Sequence, residues 1–201
     1  MNAAAETIGN VVIRAARRSD AADMAMLANI AGHGLPSFVW SRSEGADEVD
    51  SPMEIGRLRA LRDEGSFSWR HAVVAATDDE VAGMLVGYRQ PDEMQAETDG
   101  ADPIFAPLIE LEAEAPGTWY INILAVHFNW RGKGIGSRLV GTAHEKATES
   151  GARGLSLIAA DNNEQALRFY DRNGFRERSA RPLVPYPGSP QSGRWLLMVK
   201  D

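Results

Sequence analysis

The sequence predicts an α/β (α+β) fold in one domain spanning residues 1–201. Two apolar runs, 119–126 and 154–160, are typical of buried strands, and each is followed by a segment with helical character. The length lies within the range of one domain that can bury its own core. Taken together, the elements follow the order β, α, α, β, β, insert, β, α, β, α, β, without an internal repeat or a second domain.

Composition excludes several classes of function. The chain is 44% apolar and 24% charged, which is ordinary for a globular protein in water. Its net charge is −7 and its basic residues are scattered, so we expect no nucleic-acid partner. The absence of cysteine excludes disulfides, zinc–thiolate sites and a thiol nucleophile. No apolar run approaches the roughly 20 residues that span a membrane, and no signal peptide is evident, so we expect a cytoplasmic protein without a membrane partner.

The N-terminal part predicts a leader, a strand and a helix. We expect residues 1–10 to form a loose leader and residues 11–14 a short strand. Ser19 or Asp20 is suited to cap the helix that follows, because short polar side chains accept hydrogen bonds from the free N–H groups at a helix start. The apolar face of this helix ends at the Gly-His-Gly run, 32–34.

A second helix is predicted after an irregular stretch. Residues 35–50 are apolar at first and acidic later, without a clear period, so we expect no regular structure there. Ser51, Pro52 and Glu54 match an N-cap, a first-turn proline and an N3 glutamate. This helix is expected to run to Gly65.

A hairpin and a long connection follow. Residues 69–77 and 81–89 predict two strands joined by the polar turn 78–80. The connection 90–117 is long for two neighbouring strands of a compact domain, and connections of this length tend to be functional or disordered. Its second half, 103–115, has apolar residues at near-helical spacing, so we expect a short helix there.

The end of the chain predicts a turn and a last strand. Residues 181–193 are rich in proline, which favours a turn. Residues 194–200 predict the last strand. The elements recognised from the residues therefore include six strands.

A loop with three alternating glycines follows the apolar run 119–126. Glycine lets the backbone approach a ligand closely, and the first N–H groups of a helix have no partner inside it. The positive end of the helix dipole also attracts anions. Arg131 and Lys133 add charge at the loop, and the amphipathic segment 135–150 predicts the helix. The loop is therefore predicted to hold a pyrophosphate.

Two common phosphate-binding motifs do not match this loop. A Walker A loop requires Ser or Thr directly after Gly-Lys, and here Gly134 follows Lys133. The dinucleotide fingerprint requires Gly-x-Gly-x-x-Gly near the start of a parallel-sheet unit. This loop has Gly-x-Gly-x-Gly, which is one residue shorter, and it lies in the second half of the chain. The loop resembles instead the Arg/Gln-x-x-Gly-x-Gly/Ala signature of the GNAT acetyltransferases, matched by Arg131, Gly134 and Gly136. In that family the loop binds the pyrophosphate of coenzyme A.

A second motif, residues 163–175, strengthens the resemblance. It fills every specified position of the family pattern Asn-x-x-Ala-x-x-Phe-Tyr-x-x-x-Gly-Phe. On a helix Asn163, Ala166 and Tyr170 share one face, and Gly174 lies where a helix end favours a left-handed residue. The resemblance covers about 11–200, although only the two motifs are specific.

The resemblance implies a fold and an activity. The GNAT fold is a mixed, mostly antiparallel sheet of six to seven strands flanked by helices. Members are acyltransferases, and the resemblance implies that this chain uses acetyl-CoA as cosubstrate. The acetyl group would go to a primary amine of a small molecule or peptide by direct attack. A homodimer is a common state in the family.

The resemblance also assigns roles to residues. In the family the motif strand splays from the next strand, and its free backbone groups pair with the pantetheine arm. Asn163 would hold the arm from the other side, and Tyr170 corresponds to the general acid. A phenol with a pKa of about 10 is protonated near neutrality and suits that role. The implied cofactor-binding residues are Leu124, Ala125, Val126, Arg131, Gly132, Lys133, Gly134, Ile135, Gly136, Ser137, Asn163, Ala166 and Tyr170.

The general base is left open. Many relatives carry Glu or Asp in the motif strand where this chain has Asn122, whose amide cannot accept a proton at neutral pH. Asn122 could orient a water that relays the proton. Alternatively, Glu110 or Glu112 of the insert could accept it, or the amine could bind already neutral. For each glutamate alone, a solvated helix face is the simpler interpretation.

The acceptor and a second class of function also remain open. Acidic residues in the insert and in 44–50 favour a cationic amine, such as a polyamine, an aminoglycoside, an amino acid or an N-terminal amine. The alternative is a non-catalytic sensor or interaction domain that binds CoA or acyl-CoA. Tyr170 favours catalysis, and the missing motif-strand carboxylate favours the alternative. We expect a structural role for His127 and a solvent-exposed loop position for His33, and the scattered histidines predict no metal site.

Overall fold

The computed structural model describes residues 11–201, so the leader predicted for residues 1–10 lies outside the described residues. The strands are β1 (Val12–Ala15), β2 (Ala72–Ala76), β3 (Val81–Arg89), β4 (Trp119–Val126), β5 (Leu155–Ala160), β6 (Arg176–Pro182) and β7 (Arg194–Lys200). The helices are α1 (Ala21–Ala31), α2 (Leu35–Ser41), α3 (Pro52–Ala60), α4 (Ala106–Ala113), α5 (Ile135–Glu149) and α6 (Glu164–Arg172). None of these helices is long and apolar enough to cross a bilayer.

The strands form one mixed sheet, which confirms the predicted fold class. The sheet has seven strands in the order β1-β2-β3-β4-β5-β7-β6. Five of the neighbouring pairs are antiparallel, and the β4–β5 pair is parallel. Because β5 follows β4 through helix α5, the parallel pair arises from a crossover connection.

The apolar core lies on both faces of the sheet. On one face, fully buried Leu139 of α5 packs with Leu85 and Leu157 of the strands. On the other face, Met24 and Leu27 of α1 pack in a second cluster with strand residues of β2 and β3. Helices α1 and α3 thus cover one face and α5 the other, which holds the central strands β3 and β4 rigidly between them.

The prediction of no regular structure in residues 35–50 was wrong. Helix α2 begins directly after Gly34, whose φ of 87° is left-handed, and Pro36 lies in its first turn. A seven-residue helix has little stability of its own. Here the helix is held by tertiary contacts: Phe38 stacks on Tyr186 at 5.7 Å between ring centroids, and Trp40 is buried. Seven residues are too few for a helical period of apolar residues to be recognised in the sequence.

The predicted ends of α3 and β2 were also wrong. Ser51 is the N-cap of α3, but its side chain makes no capping hydrogen bond, and Glu54 instead pairs with Arg57. The helix ends at Ala60 rather than at Gly65. Strand β2 starts later than expected, because residues Trp69–His71 form a 3-10 turn that precedes it.

Strand β6 was missed by the sequence prediction. Within residues 11–201 it pairs only with β7, and it forms one edge of the sheet there. Its sequence, Arg-Glu-Arg-Ser-Ala-Arg-Pro, contains four charged residues and no apolar alternation. Edge strands are half hydrated and are often rich in charge, so hydrophobic patterning does not identify them.

Candidate active site

A cleft opens where strands β4 and β5 separate. Their pairing covers Trp119–Ile121 against Leu155–Leu157 and stops there, although β4 continues to Val126 and β5 to Ala160. The predicted splay of these strands is therefore confirmed. The cleft beside them has a volume of about 1360 Å³. Its floor is the open edge of β4.

Backbone groups of β4 point into this opening. The N–H of His127 donates to the carbonyl of Ala82 on β3 at 2.9 Å. Since alternate residues of a strand direct their N–H and C=O groups to opposite sides, those of Leu124 and Val126 face the open edge. The Val126 carbonyl accepts a hydrogen bond from Nε of Arg131 at 3.1 Å. The groups of Leu124 remain directed toward the cleft.

Asn122 occupies a bulge in β4. Val86 pairs with Ile123 and Gly87 with Ile121, so Asn122 is the extra residue between them. A bulge changes which side chains face each side of a sheet. Consistently, Ile121 packs with the α5 cluster, whereas Ile123 packs with the α1 cluster. Asn122 lines the cleft and donates from Nδ2 to the carbonyl of Ser66 at 3.3 Å.

The glycine-rich loop lies at one end of the cleft and leads into α5. Gly132 and Gly134 have φ values of 76° and 78°, in the left-handed region that glycine adopts readily. Gly134 is the N-cap of α5. Apart from the adjoining residues of the chain, no atom of residues 11–201 lies within 4 Å of where a Cβ would stand at either glycine, so the space in front of the backbone is open. This geometry exposes the first N–H groups of α5 to a ligand.

The predicted loop residues differ in where they lie. Six of them line the cleft: Arg131, Gly132, Gly134, Ile135, Gly136 and Ser137. Lys133 is not among the lining residues, and its Nζ lies 4.8 Å above the ring of Trp130. At Gly136 a Cβ would lie 3.1 Å from the Phe169 ring, so this glycine permits close packing of α5 against α6.

Tyr170 is buried in α6 and lines the cleft. Its ring packs edge-on against Phe169 and Phe175, with centroid distances of 5.3 and 5.6 Å. Burial raises the pKa of Tyr170 to about 12. The phenol is therefore protonated across the physiological range and available as a donor.

Asn163 and Ala166 lie at the start of α6 and line the cleft. Asn163 is the N-cap of α6 rather than a residue within it, and its Oδ1 accepts from the N–H of Ala166 at 3.2 Å. Its Nδ2 lies 2.9 Å from Nε2 of His33, an exposed residue in the loop after α1. Elsewhere, Nδ1 of His127 is buried without a partner among residues 11–201.

Glu110 and Glu112, which the sequence could not distinguish, lie on α4 in different surroundings. Glu110 and Glu114 both bind Arg181 of β6, with distances of 2.6 and 2.5 Å, and Glu110 is not part of the cleft lining. Glu112 lines the cleft and accepts a hydrogen bond from Nε2 of Gln90 at 3.1 Å. Burial raises the pKa of Glu112, although the hydrogen bonds from Gln90 and Tyr120 oppose that effect.

Much of the cleft wall was not predicted from the sequence, and three of the missed residues bear on its chemistry. Tyr88 and Tyr120 stand opposite one another on β3 and β4, with ring centroids 5.8 Å apart. Burial and the neighbouring charge of Glu112 raise the pKa of both phenols. Arg59 of α3 is the third. The two tyrosines lie in strands whose alternation is visible in the sequence, but Arg59 carries no local signal.

A match to a family model establishes the protein family of this chain. A family model described as the acetyltransferase (GNAT) family matches residues 37–175. The chain belongs to the GNAT acetyltransferase family. No curated protein sequence matches this GNAT chain. Among residues 11–201, no group of three or more His, Asp or Glu side chains is arranged to hold a metal.

Solved structures share the GNAT fold along nearly the whole chain. An acetyltransferase structure matches with a TM-score of 0.63 and 21% identity, covering 94% of this chain and 98% of the other. An N-acetyltransferase from Staphylococcus aureus Mu50 matches with a TM-score of 0.61 and 20% identity, covering 94% and 99%. A Pyrococcus horikoshii OT3 protein matches with a TM-score of 0.59 and 16% identity, covering 95% and 98%. At these identities the likeness concerns the fold.

Proposed function

We propose that this GNAT protein is an N-acetyltransferase that moves the acetyl group of acetyl-CoA to a primary amine of a small molecule or peptide. The amine attacks the thioester directly, and Tyr170 is the general acid. One observation carries the proposal: the glycine-rich loop, the open edge of β4, Tyr170 and Glu112 all line one cleft. An anion site, a polar strand edge, a proton donor and a carboxyl group therefore meet in one place.

The chain has groups suited to each part of the cosubstrate. The N–H groups at the start of α5, near Gly134, suit a pyrophosphate because they are free and lie at the positive end of the helix dipole. The open space in front of Gly132 and Gly134 leaves room for it. The backbone of Leu124 suits the amide groups of a pantetheine arm, and Asn163 borders the same opening. Acetyl-CoA supplies the acetyl group as an activated thioester.

Glu112 is the proton acceptor in this proposal. A carboxylate with a raised pKa is a better base than an exposed one, and burial raises the pKa of Glu112. It accepts one proton from the ammonium form of the acceptor, which leaves a neutral amine able to attack. Asn122, in the bulge of the same strand as Tyr120, is suited to hold a water between the amine and the carboxylate.

Tyr170 takes part in the two remaining proton transfers, one to the sulfur and one from the nitrogen. The new C–N bond forms as the amine attacks the carbonyl carbon, and the C–S bond then breaks. Tyr170 donates its proton to the departing sulfur, which gives the free thiol. The nitrogen then loses its second proton, which restores the phenol. The net release is one proton for each amide formed.

Two measurements test the proposal. Calorimetric titration with acetyl-CoA, with ATP as comparison, should show specific binding of acetyl-CoA. Release of free thiol with a panel of amines should show turnover. Tyr170→Phe should keep acetyl-CoA binding and lower kcat at least about 100-fold, the usual contribution of a general acid. Tyr186→Phe is the matched comparison, because this tyrosine also lines the cleft but packs in a different cluster, with Leu35 and Ile104.

Each outcome has a distinct meaning. Binding without turnover for any amine would favour the alternative, a CoA-binding sensor or interaction domain. Full turnover by Tyr170→Phe would reject the phenol as the acid. If acetyl-CoA does not bind, the glycine-rich loop is only a turn and the enzyme proposal fails with it.

A further inference from the structure

Arg59 is a cation in the wall of the cleft that the proposed chemistry does not use. Its Nη2 donates to Oγ of Ser43 at 2.8 Å, and its Nε is buried without a hydrogen-bond partner among residues 11–201. No carboxylate of those residues forms an ion pair with it, whereas Arg57, two positions earlier, pairs with Glu54. Arg59 is therefore a partly buried cation without a counterion in the described chain.

Such a charge is unfavourable unless something neutralises it. A guanidinium keeps its proton in proteins, so it cannot escape burial by becoming neutral. Burial and the neighbouring Arg62 lower the pKa of Arg59, which is the expected direction for a cation lacking an anion. A bound carboxylate or other oxyanion would supply the missing partner, and the planar fork of arginine fits that geometry.

Packing fixes α3, the helix that carries Arg59, on the face of the sheet that α1 also covers. Gly56, one turn earlier in α3, lies against Trp40 so closely that a Cβ there would be 2.3 Å from the indole ring. Trp40 in turn stacks on Phe67, with centroids 5.9 Å apart. The neighbouring Ser66 accepts a hydrogen bond from Asn122 of β4. The wall that carries Arg59 thus meets the strand at Asn122.

Glu112 contacts the same strand, β4, at Tyr120, which is two residues before Asn122. Its carboxyl group interacts with the hydroxyl of Tyr120. Two residues of a strand span roughly 7 Å, a distance comparable to the size of a small molecule. Arg59 and Glu112 both line the cleft that this stretch of β4 borders. A ligand with both signs of charge would satisfy both.

We infer that the acceptor is an amine that also carries an oxyanion, as an amino acid does, with the oxyanion bound by Arg59 and the amine directed to Glu112. The inference rests on the proposed acetyl transfer and narrows its substrate class. It favours amino acids over polyamines and aminoglycosides, which lack an anionic group. A carboxylate is the simplest case, and phosphonate and sulfonate analogues share its chemistry.

The test compares acceptors that differ only by the carboxylate. Free thiol release is measured for amino acids and for the amines made by their decarboxylation, for example phenylalanine with phenethylamine and lysine with cadaverine. Aminophosphonate and aminosulfonate analogues distinguish the type of oxyanion. We expect kcat/KM to be about 10- to 100-fold higher for the carboxylated member, the size of one hydrogen bond to a charged group.

Variants assign the effect to Arg59. Arg59→Gln should raise the KM of the carboxylated acceptor about 10- to 100-fold, while the KM of acetyl-CoA and the rate with the decarboxylated amine stay within about twofold. Arg59→Lys should restore part of the loss. Arg62→Gln is the control, because this neighbouring cation is exposed and outside the cleft lining. A purely structural role for Arg59 would affect both members of each pair equally.

Failure of this inference is distinguishable from failure of the proposed function. Turnover that is equal for amino acids and decarboxylated amines, or an equal effect of Arg59→Gln on both, overturns the inference and leaves acetyl transfer intact. If the wild-type protein binds acetyl-CoA but turns over no amine in the panel, both fail. Circular dichroism of Arg59→Gln verifies that the variant is folded.

Discussion

The side-chain amide of Asn163 bridges two parts of the chain that lie 130 residues apart. Its Nδ2 is 2.9 Å from Nε2 of His33, and its Oδ1 caps α6 by accepting from the N–H of Ala166. The loop after α1 is thereby tied to the start of α6 across the cleft. Because an amide nitrogen has two hydrogens, one remains available to a ligand.

The two functions of Asn163 can be separated by mutation. His33→Ala removes only the bridge and should lower the free energy of unfolding by about 1 kcal/mol or less, since the histidine is exposed. Asn163→Ala removes the bridge and the cap and should cost about 2 kcal/mol. Urea denaturation measures both. The double variant should match Asn163→Ala, and a larger loss would show that His33 contributes through another contact.

The rate should depend on pH through Glu112. Because burial raises the pKa of this carboxyl, kcat/KM is expected to rise with pH as Glu112 ionises. It should not fall again until pH approaches the pKa of Tyr170, about 12. Glu112→Gln should remove the Glu112 step and lower kcat about 100-fold or more. The remaining dependence should follow the pKa of the chosen amine.

The other candidate glutamate provides the comparison. Glu110→Gln should leave the pH profile unchanged and kcat within about twofold, because Glu110 binds Arg181 outside the cleft lining. A profile that loses its rise in Glu110→Gln instead would transfer the role of base to that residue.

The glycine-rich loop should tolerate no side chain at Gly134. Alanine there would adopt a φ of 78°, which costs about 1 kcal/mol, and its methyl group would enter the space proposed for the pyrophosphate. We expect acetyl-CoA affinity to fall about tenfold by calorimetry, the effect of roughly one lost contact. Gly141→Ala, within α5, is the control. It should raise stability by about 0.5–1 kcal/mol and leave binding unchanged.

Asp20 should stabilise the protein in a pH-dependent way. Its carboxylate accepts from Arg14 at 2.7 and 3.0 Å and from the N–H of Arg17 at 2.7 Å. Burial favours the neutral acid, but these hydrogen bonds outweigh it and hold the pKa of Asp20 below its ordinary value. The stabilisation is therefore present above the unfolded-state pKa, about 3.9, and is lost as pH falls through the folded-state pKa.

Denaturation at several pH values measures this effect. Asp20→Asn should lower the free energy of unfolding by about 2 kcal/mol at neutral pH, and the difference should shrink below about pH 4. Glu54→Gln, which disrupts the more exposed pair with Arg57, should lower the free energy of unfolding far less, because exposed ion pairs contribute little. An equal loss in both variants would mean that burial adds nothing to the Asp20 network.

Local patterns in the sequence predicted a large part of the fold. The bounds of β3 and β4 match the predicted strands, and α5 begins at the predicted residue, Ile135. These elements are signalled by neighbouring residues, through apolar runs and glycine turns. Helix α2 and strand β6 were missed because their stability comes from remote partners, Tyr186 for Phe38 and β7 for β6.

The sequence by itself determined the two family motifs, the order of most elements and the loop that faces the cleft, because each depends on residues close together in the chain. Only the tertiary structure decided which glutamate lines the cleft, where Asn122 points and that Arg59 has no counterion among residues 11–201. Those properties depend on contacts with Arg181, Ser66 and Ser43, which lie distant in sequence. Burial and charge compensation belong to the packed neighbourhood, and no local pattern encodes it.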